Sequence, residues 1–208
     1  SAGGTAILTE IPEMFGAEQL LLDRASSRQV FDRMTAIFDD FRRYFLALGQ
    51  AIHENPSPGN LAGGITTLEE KSLGAVQKGG RAAVSQALRY AERASEPGLA
   101  ILEAPGNDAV SSTALVAAGA TILLFTTGRG TPLGFPVPTL KISSNSELAT
   151  RKPGWIDFDA GSLLRGVEPE LAADSLLDLV LATASGRLAR NETNGEREIA
   201  IWKQGVTL

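Results

Sequence analysis

The chain has 208 residues, 43% hydrophobic and 21% charged, with a net charge of −5 at pH 7. That balance describes a globular protein with a sizeable core and excludes the basic face a nucleic-acid partner needs, since no Lys/Arg run exceeds the pairs Arg42-Arg43 and Arg151-Lys152. The absence of cysteine excludes disulfides, thiolate metal sites and thiol nucleophiles and fits a cytoplasmic location, and no apolar run approaches the roughly 18–20 residues that cross a membrane.

The opening Ser1-Ala-Gly-Gly-Thr-Ala-Ile-Leu-Thr-Glu10 has no signal-peptide layout and enters a core strand, Thr5–Thr9, almost at once. So abrupt a start reads as a piece of a longer chain. Ser26-Ser27-Arg28-Gln29 resembles a capping box. After it Val30, Met34, Ile37, Phe41, Phe45, Leu48 and Ile52 recur at spacings of three and four, widened by Phe31 and Phe38, while Asp32, Arg33, Asp39, Asp40, Arg42 and Arg43 take the other face. This predicts one long amphipathic helix ending at Asn55-Pro56-Ser57-Pro58-Gly59-Asn60. Its charged face, Asp32–Arg43, is compatible with a monomer or a homodimer.

Thr66 to Val76 reads as a second helix, capped by Thr66 or Thr67, and Arg81 to Ala94 as a third, broken by Pro97-Gly98. Leu99–Leu102 is a buried strand, Ala109–Ala118 a helix of small residues, and Thr121–Thr126 another strand. That order predicts a right-handed crossover in a parallel sheet. Val137–Ser143 reads as a further strand, Ser146 starts a short helix, and Trp155–Phe158 is extended. Glu168–Leu188 is the last long helix, and Glu198–Trp202 is expected as a final strand. The expected fold is a single α/β domain over residues 1–208: layered, with a mainly parallel sheet and helices on both faces, Rossmann-like but not nucleotide-binding.

In such sheets ligands gather beyond the carboxyl ends of the strands, which directs attention to Glu10–Glu13, Glu103–Asp108 and Thr126–Gly134. Glycines on both sides of Arg129 let backbone amides and a guanidinium converge on an anion, with Thr127 and Thr131 supplying hydroxyls; the plainer reading is a surface turn with a solvated arginine. The loop lacks the Gly-Lys-Ser/Thr end of a Walker loop and the spacing of a dinucleotide fingerprint. Glu10 and Glu13, three apart across Pro12, suit a hard cation such as Mg²⁺, Mn²⁺ or Fe²⁺ or a general base, or else a cap and a surface glutamate. Lys71, one turn into its helix, suits support of an enolate or a solvated ion pair. His53, the one histidine, fits a helix end better than a catalytic base. Asp157 and Asp159 are candidate metal ligands that more often flank a turn.

Several stretches taken together resemble the C-terminal domain of the altronate/galactarate dehydratases, a family that also includes sulfolactate sulfo-lyases. They are Thr9-Glu10-Ile-Pro-Glu13-Met-Phe-Gly16-Ala-Glu18, Asn55-Pro-Ser-Pro-Gly-Asn60, Gly63-Gly64-Ile-Thr-Thr-Leu-Glu-Glu-Lys71-Ser-Leu-Gly74 and Phe125-Thr-Thr-Gly-Arg-Gly-Thr-Pro132. Trp155-Ile-Asp-Phe-Asp-Ala-Gly161, Ala184-Ser-Gly-Arg187 and Arg197-Glu-Ile-Ala-Ile201 complete the set, in order along nearly the whole chain.

The resemblance implies a hydro-lyase that converts an aldonic or aldaric acid to a 2-keto-3-deoxy acid. It implies a divalent metal, commonly iron or manganese, held mainly by an N-terminal module of the same protein that is not in this sequence. On that basis Glu13 and Lys71 are expected as catalytic residues and Glu10 as a metal ligand. Asn60, Thr127, Arg129, Thr131 and Lys141 are expected to bind the sugar acid, with Lys141 also a candidate for a sulfonate should the chemistry be sulfite loss. Leu61 and Ala75 stand where relatives often carry Lys and Cys, which puts in doubt a metal role at Ala75. The expected fragment is inactive by itself. The competing readings are a non-catalytic sugar-acid-binding or oligomerisation module and a sulfolactate sulfo-lyase-type lyase.

Overall fold

The computed structural model describes residues 3–50 and 64–203. His53, Asn60, Leu61 and the proline-rich stretch Asn55–Asn60 lie outside the described residues. The chain divides into two compact units, Ser1–Gly119 with Ile201–Leu208, and Ala120–Ala200.

The first unit is built on a parallel sheet of β1 (Thr5–Leu8), β2 (Val84–Leu88) and β3 (Gly98–Leu102), in the order β1-β3-β2. The central strand is apolar on both faces, as a strand covered on both sides must be. Leu99 and Ile101 pack with Met34, Ile37, Phe38 and Phe41 of the long helix, α2 (Arg28–Ala47), which follows a single-turn helix, α1 (Gln19–Leu22). Ala100 and Leu102 pack with Ala114 and Ala118 on the other side, the former from the helix Asp108–Ala117. Each fully buried large side chain of α2 contributes about 1.5–3 kcal/mol by leaving water.

Local chemistry sets the ends. Ser27 caps α2, its hydroxyl accepting from the Val30 amide at 3.2 Å. The helix stops at Ala47, earlier than the prolines predict, and Gly49 takes φ 66°, a conformation open to glycine at little cost. Helix α3 (Leu68–Gln77) starts with a capping box: the Glu70 amide donates to Thr67 Oγ1 at 3.1 Å, and the Glu70 carboxylate accepts from the amides of Thr66 and Thr67. These amides and the Thr66 hydroxyl hold the Glu70 carboxyl below its usual range.

Residues 81–94 correct the expected third helix. They hold strand β2, because β3 has a second edge to satisfy and tertiary pairing overrides the helical leaning of an alanine-rich segment. Val84 is also tied to the chain before α2, its amide donating to Arg24 O at 2.8 Å and its carbonyl accepting from the Ser26 amide at 2.9 Å.

The helix after β3 is α4 (Asp108–Ala117). The second unit carries its own parallel sheet, β4 (Leu123–Thr127), β5 (Thr139–Ser143) and β6 (Phe158–Asp159), in that order. The expected crossover from Leu99–Leu102 to Thr121–Thr126 within one sheet therefore does not form. The α/β layering holds, but the strands belong to two sheets. Around β5 lie α5 (Ser146–Arg151), α6 (Pro169–Ala184) and α7 (Arg190–Asn194). Leu140 of β5 packs with Leu179 of α6 and Ala189, while Thr139 and Lys141, of opposite parity, are buried among polar partners.

Glu198–Trp202 is not a strand. Glu198 clips onto Gly134 instead, its amide donating to Gly134 O at 2.8 Å and its carboxylate accepting from Gly134 N at 2.9 Å. Trp202 stacks on Phe41 of the first unit, ring centroids 5.3 Å apart and 7° from parallel.

Candidate functional site

Where β1 ends, Thr9 donates its hydroxyl to Leu102 O at 3.0 Å, tying the carboxyl ends of β1 and β3 together. Glu10 then adopts φ 69°, ψ 58°, the left-handed region that a side chain enters only at a cost of about 1 kcal/mol or more. That kink launches the 3₁₀ turn Ile11–Met14, with Pro12 in its first positions. The Ile11 amide donates to Ala104 O at 3.1 Å and the Glu13 amide to Glu10 O at 2.9 Å. A local strain, held by neighbours, thus places both glutamates beside the loop after β3.

Glu13 Oε2 lies 2.6 Å from Nζ of Lys71 on α3, the side chains only 15% and 19% exposed. A Cβ at Gly106 would sit 2.8 Å from Glu13 Oε1, so glycine there lets the loop after β3 approach this carboxylate. The same loop supplies Asn107, whose side chain caps α4, then Asp108 in the first turn and Ser111 one turn on. Ser111, nearly fully buried, donates its hydroxyl to Glu10 Oε1 at 3.2 Å.

Burial pushes the Glu10 carboxyl up to about 7, and the charges of Glu13 and Asp108 add to the rise against the opposing pull of Lys78 and Ser111. Burial, seconded by Glu13, also raises Asp108, while Lys78 and Lys71 oppose. Three carboxyls and two ammonium groups therefore share the carboxyl edge of one small sheet. A carboxyl that titrates near neutrality can take or give a proton. The sequence marked Glu10, Glu13, Lys71 and the loop Glu103–Asp108; it gave no sign of Ser111 or Lys78, which only the packing of α4 and α3 brings in.

Among the described residues, no group of three or more His, Cys, Asp or Glu side chains is arranged to hold a metal ion. A cavity of about 410 Å³ in the first unit, lined by residues such as Arg33, Gln86, Glu92 and Arg93, contains none of the expected site residues.

In the second unit the Thr126–Gly134 loop is shaped by its own hydroxyls. Thr127 Oγ1 accepts from the Gly130 amide at 3.0 Å, and Thr131 Oγ1 from the Leu133 amide at 3.2 Å. Gly130 has φ 84°, and a Cβ there would press on Leu148 at 2.9 Å. Asn145 holds Gly128 O at 3.0 Å. On this braced loop Arg129 is exposed, with no ion-pair partner among the described residues.

Lys141, expected to face a ligand, is fully buried, and its ammonium donates to Pro132 O at 3.0 Å and to Glu196 at 2.7 Å. Asp157 and Asp159 serve local architecture. Asp157 accepts from the amides of Lys141 and Arg190, both at 2.9 Å, and burial pushes its carboxyl up. Asp159 caps the 3₁₀ turn that follows it through the Gly161 amide.

Residues 1–207 match the family described as D-galactarate/Altronate dehydratase, C-terminal. The chain is 54% identical over 206 residues to an altronate dehydratase of Escherichia coli (strain K12), covering 99% of this chain and 42% of that protein. It is 50% identical over 207 residues to an altronate dehydratase of Bacillus subtilis (strain 168), again covering 99% of this chain and 42% of the relative. A galactarate dehydratase (L-threo-forming) of Escherichia coli (strain K12) is 36% identical over 188 residues, 89% of this chain and 36% of that protein. The chain thus spans less than half the length of these relatives.

Proposed function

We propose, for a chain that belongs to the D-galactarate/altronate dehydratase family and matches its C-terminal part, that it forms the C-terminal portion of a hydro-lyase that removes water from an aldonic or aldaric acid. The reaction breaks the C–H bond α to the carboxylate and the C–O bond at the β carbon. The released proton and hydroxyl leave as water, and the resulting enol tautomerises to a 2-keto-3-deoxy acid. Its difficulty is the enediolate charge and the poor leaving group, so a cationic donor and a proton donor are both required.

The observation that carries this reading is the set of Glu10, Glu13, Asp108 and Lys71 at the carboxyl edge of the first sheet. Glu10, populated in both forms near neutral pH, supplies proton transfer. Lys71, held by Glu13, supplies positive charge for the enediolate. The second unit, taken by itself, offers a separate anion site: Arg129, exposed on a braced loop between two glycines, supplies a bidentate partner for a sugar-acid carboxylate, with Thr127 and Thr131 setting the loop. Higher identity to altronate dehydratases than to the (2R)-sulfolactate sulfo-lyase subunit beta of Chromohalobacter salexigens, 34% over 207 residues, favours loss of water over loss of sulfite.

A divalent metal, iron or manganese, belongs to the same reading, with Glu10 as one proposed ligand; among the described residues no group of three or more His, Cys, Asp or Glu side chains is arranged to hold it alone. The N-terminal remainder of a longer protein is the proposed partner.

The test is a chimera in which this chain replaces the corresponding part of the Escherichia coli altronate dehydratase. Altronate should be turned over by the chimera and not by the 208-residue chain alone. Lys71→Met and Glu10→Gln in the chimera should each lower kcat by about 100-fold. Unchanged turnover in both variants would remove the first-unit cluster from the chemistry.

A further inference from the structure

We propose that the buried Lys141–Glu196 ion pair is a positioning device that fixes the loop carrying Arg129 in the form that receives a substrate carboxylate. This rests on the reading of Arg129 given above. Lys141 lies mid-strand in β5, all five of whose residues are buried. Its side chain is 0% exposed, so its ammonium is no ligand for a molecule arriving from solvent. Stability alone does not explain it. A well-packed apolar pair in such a place is commonly as stable as an ion pair or more so, because two charges must be stripped of water.

What the ammonium does is reach the backbone of the loop. Besides Glu196 at 2.7 Å, it holds Pro132 O at 3.0 Å, one residue beyond Thr131. Glu196 is itself held in place. Its amide donates to Asn191 O at 2.8 Å, its carbonyl accepts from Asn191 Nδ2 at 3.3 Å, and its second carboxylate oxygen accepts from Asn194 Nδ2 at 3.2 Å. Asn191, fully buried, also binds Phe135 O, Val137 O and the Thr139 amide.

The limb of the loop after Arg129 is therefore anchored to α7 and β5, the limb before it to Asn145 through Gly128 O, and the two limbs to each other by the Gly130 amide on Thr127 Oγ1. Between two glycines, an arginine without such anchors samples many backbone states, and ordering them on binding would cost affinity. The pair removes that freedom in advance.

The experiment uses the 208-residue chain and galactarate as the probe. Binding is followed by calorimetry and loop order by amide hydrogen exchange, in the wild type, in the double variant Lys141→Met/Glu196→Leu, and in Arg129→Met. The double variant removes both charges at once, so neither is left buried and alone, and its melting temperature should stay close to the wild type. Amide protection across residues 128–133 should fall, and the Kd for galactarate should rise on the order of tenfold. Arg129→Met should weaken binding as much or more while leaving loop protection intact.

Protection and Kd both unchanged in the double variant would overturn the positioning role while leaving the Arg129 reading standing. Weakened binding that merely tracks a collapse in melting temperature, restored in Lys141→Met/Glu196→Gln, would also overturn it. Undetectable binding by the wild type, or binding indifferent to Arg129→Met, would overturn the Arg129 reading and this inference with it.

Discussion

The ammonium of Lys71 meets the carboxylate of Glu13 at 2.6 Å across residues 58 positions apart, with less than one-fifth of either side chain exposed. Such a pair is partly desolvated, so removing one member leaves the other short of a partner. Lys71→Met should lower folding stability by roughly 1–3 kcal/mol in chemical denaturation. Adding Glu13→Gln should recover part of that loss, because the unpaired charge goes with it. Equal losses in the single and double variants would show that the pair is not coupled.

Glu10 makes stability depend on pH. Its carboxyl rises from the ordinary 4.5 to about 7 in the folded chain, chiefly through burial. Between those values the folded state holds a proton that the unfolded chain has released. Stability therefore falls as pH rises through that window, by at most about 3 kcal/mol from this group. Asp108, also raised, tilts the slope the same way from a lower starting pH. Denaturation free energies between pH 4.5 and 7.5 should fall in the wild type and flatten in Glu10→Gln; a slope unchanged by the substitution would place the titrating group elsewhere.

Gly161 is fixed by space. A Cβ there would lie 2.2 Å from the Ser146 amide nitrogen and 2.5 Å from Asn145 backbone atoms, contacts that no side-chain movement relieves. Gly161→Ala should cost about 3 kcal/mol or more, read as a drop in melting temperature, whereas the same change at Gly154, with open space around it, should be close to neutral.

Asn191 makes four hydrogen bonds with its side chain, to three carbonyls and one amide, in a fully buried position. Asn191→Leu strands those groups without solvent. A loss of roughly 2–4 kcal/mol is expected in urea denaturation. An effect under ~1 kcal/mol would mean that water replaces the amide there.

Much of the candidate site was legible because its choice follows a rule of parallel sheets, that ligands gather past the carboxyl ends of strands. The apolar runs Thr5–Thr9 and Leu99–Leu102 declared themselves as strands, observed as Thr5–Leu8 and Gly98–Leu102, so Glu10, Glu13 and the loop to Asp108 stood out as the residues that follow them. Ser111 was invisible for the opposite reason. A serine among small residues carries no mark of function until α4 sets it against Glu10, 101 positions away in sequence. Lys141, expected from the resemblance to bind the sugar acid or a sulfonate, has surroundings that the sequence did not show: its ammonium is buried against Pro132 O and Glu196.

The order of apolar and polar residues by itself determined the local elements: the stripe of α2, a serine cap at its start (read at Ser26 and found one residue on, at Ser27), a threonine cap for α3 at Thr66 or Thr67, and the apolar strands Thr5–Thr9 and Leu99–Leu102. These depend on neighbours a few positions apart. Tertiary structure alone decided that residues 84–88 pair as a strand, that β3 and β4 belong to different sheets, and that the Glu10 carboxyl titrates near 7. Each of those outcomes rests on which distant groups come within a few ångströms, through edge pairing, desolvation and charge, and local pattern carries no record of them.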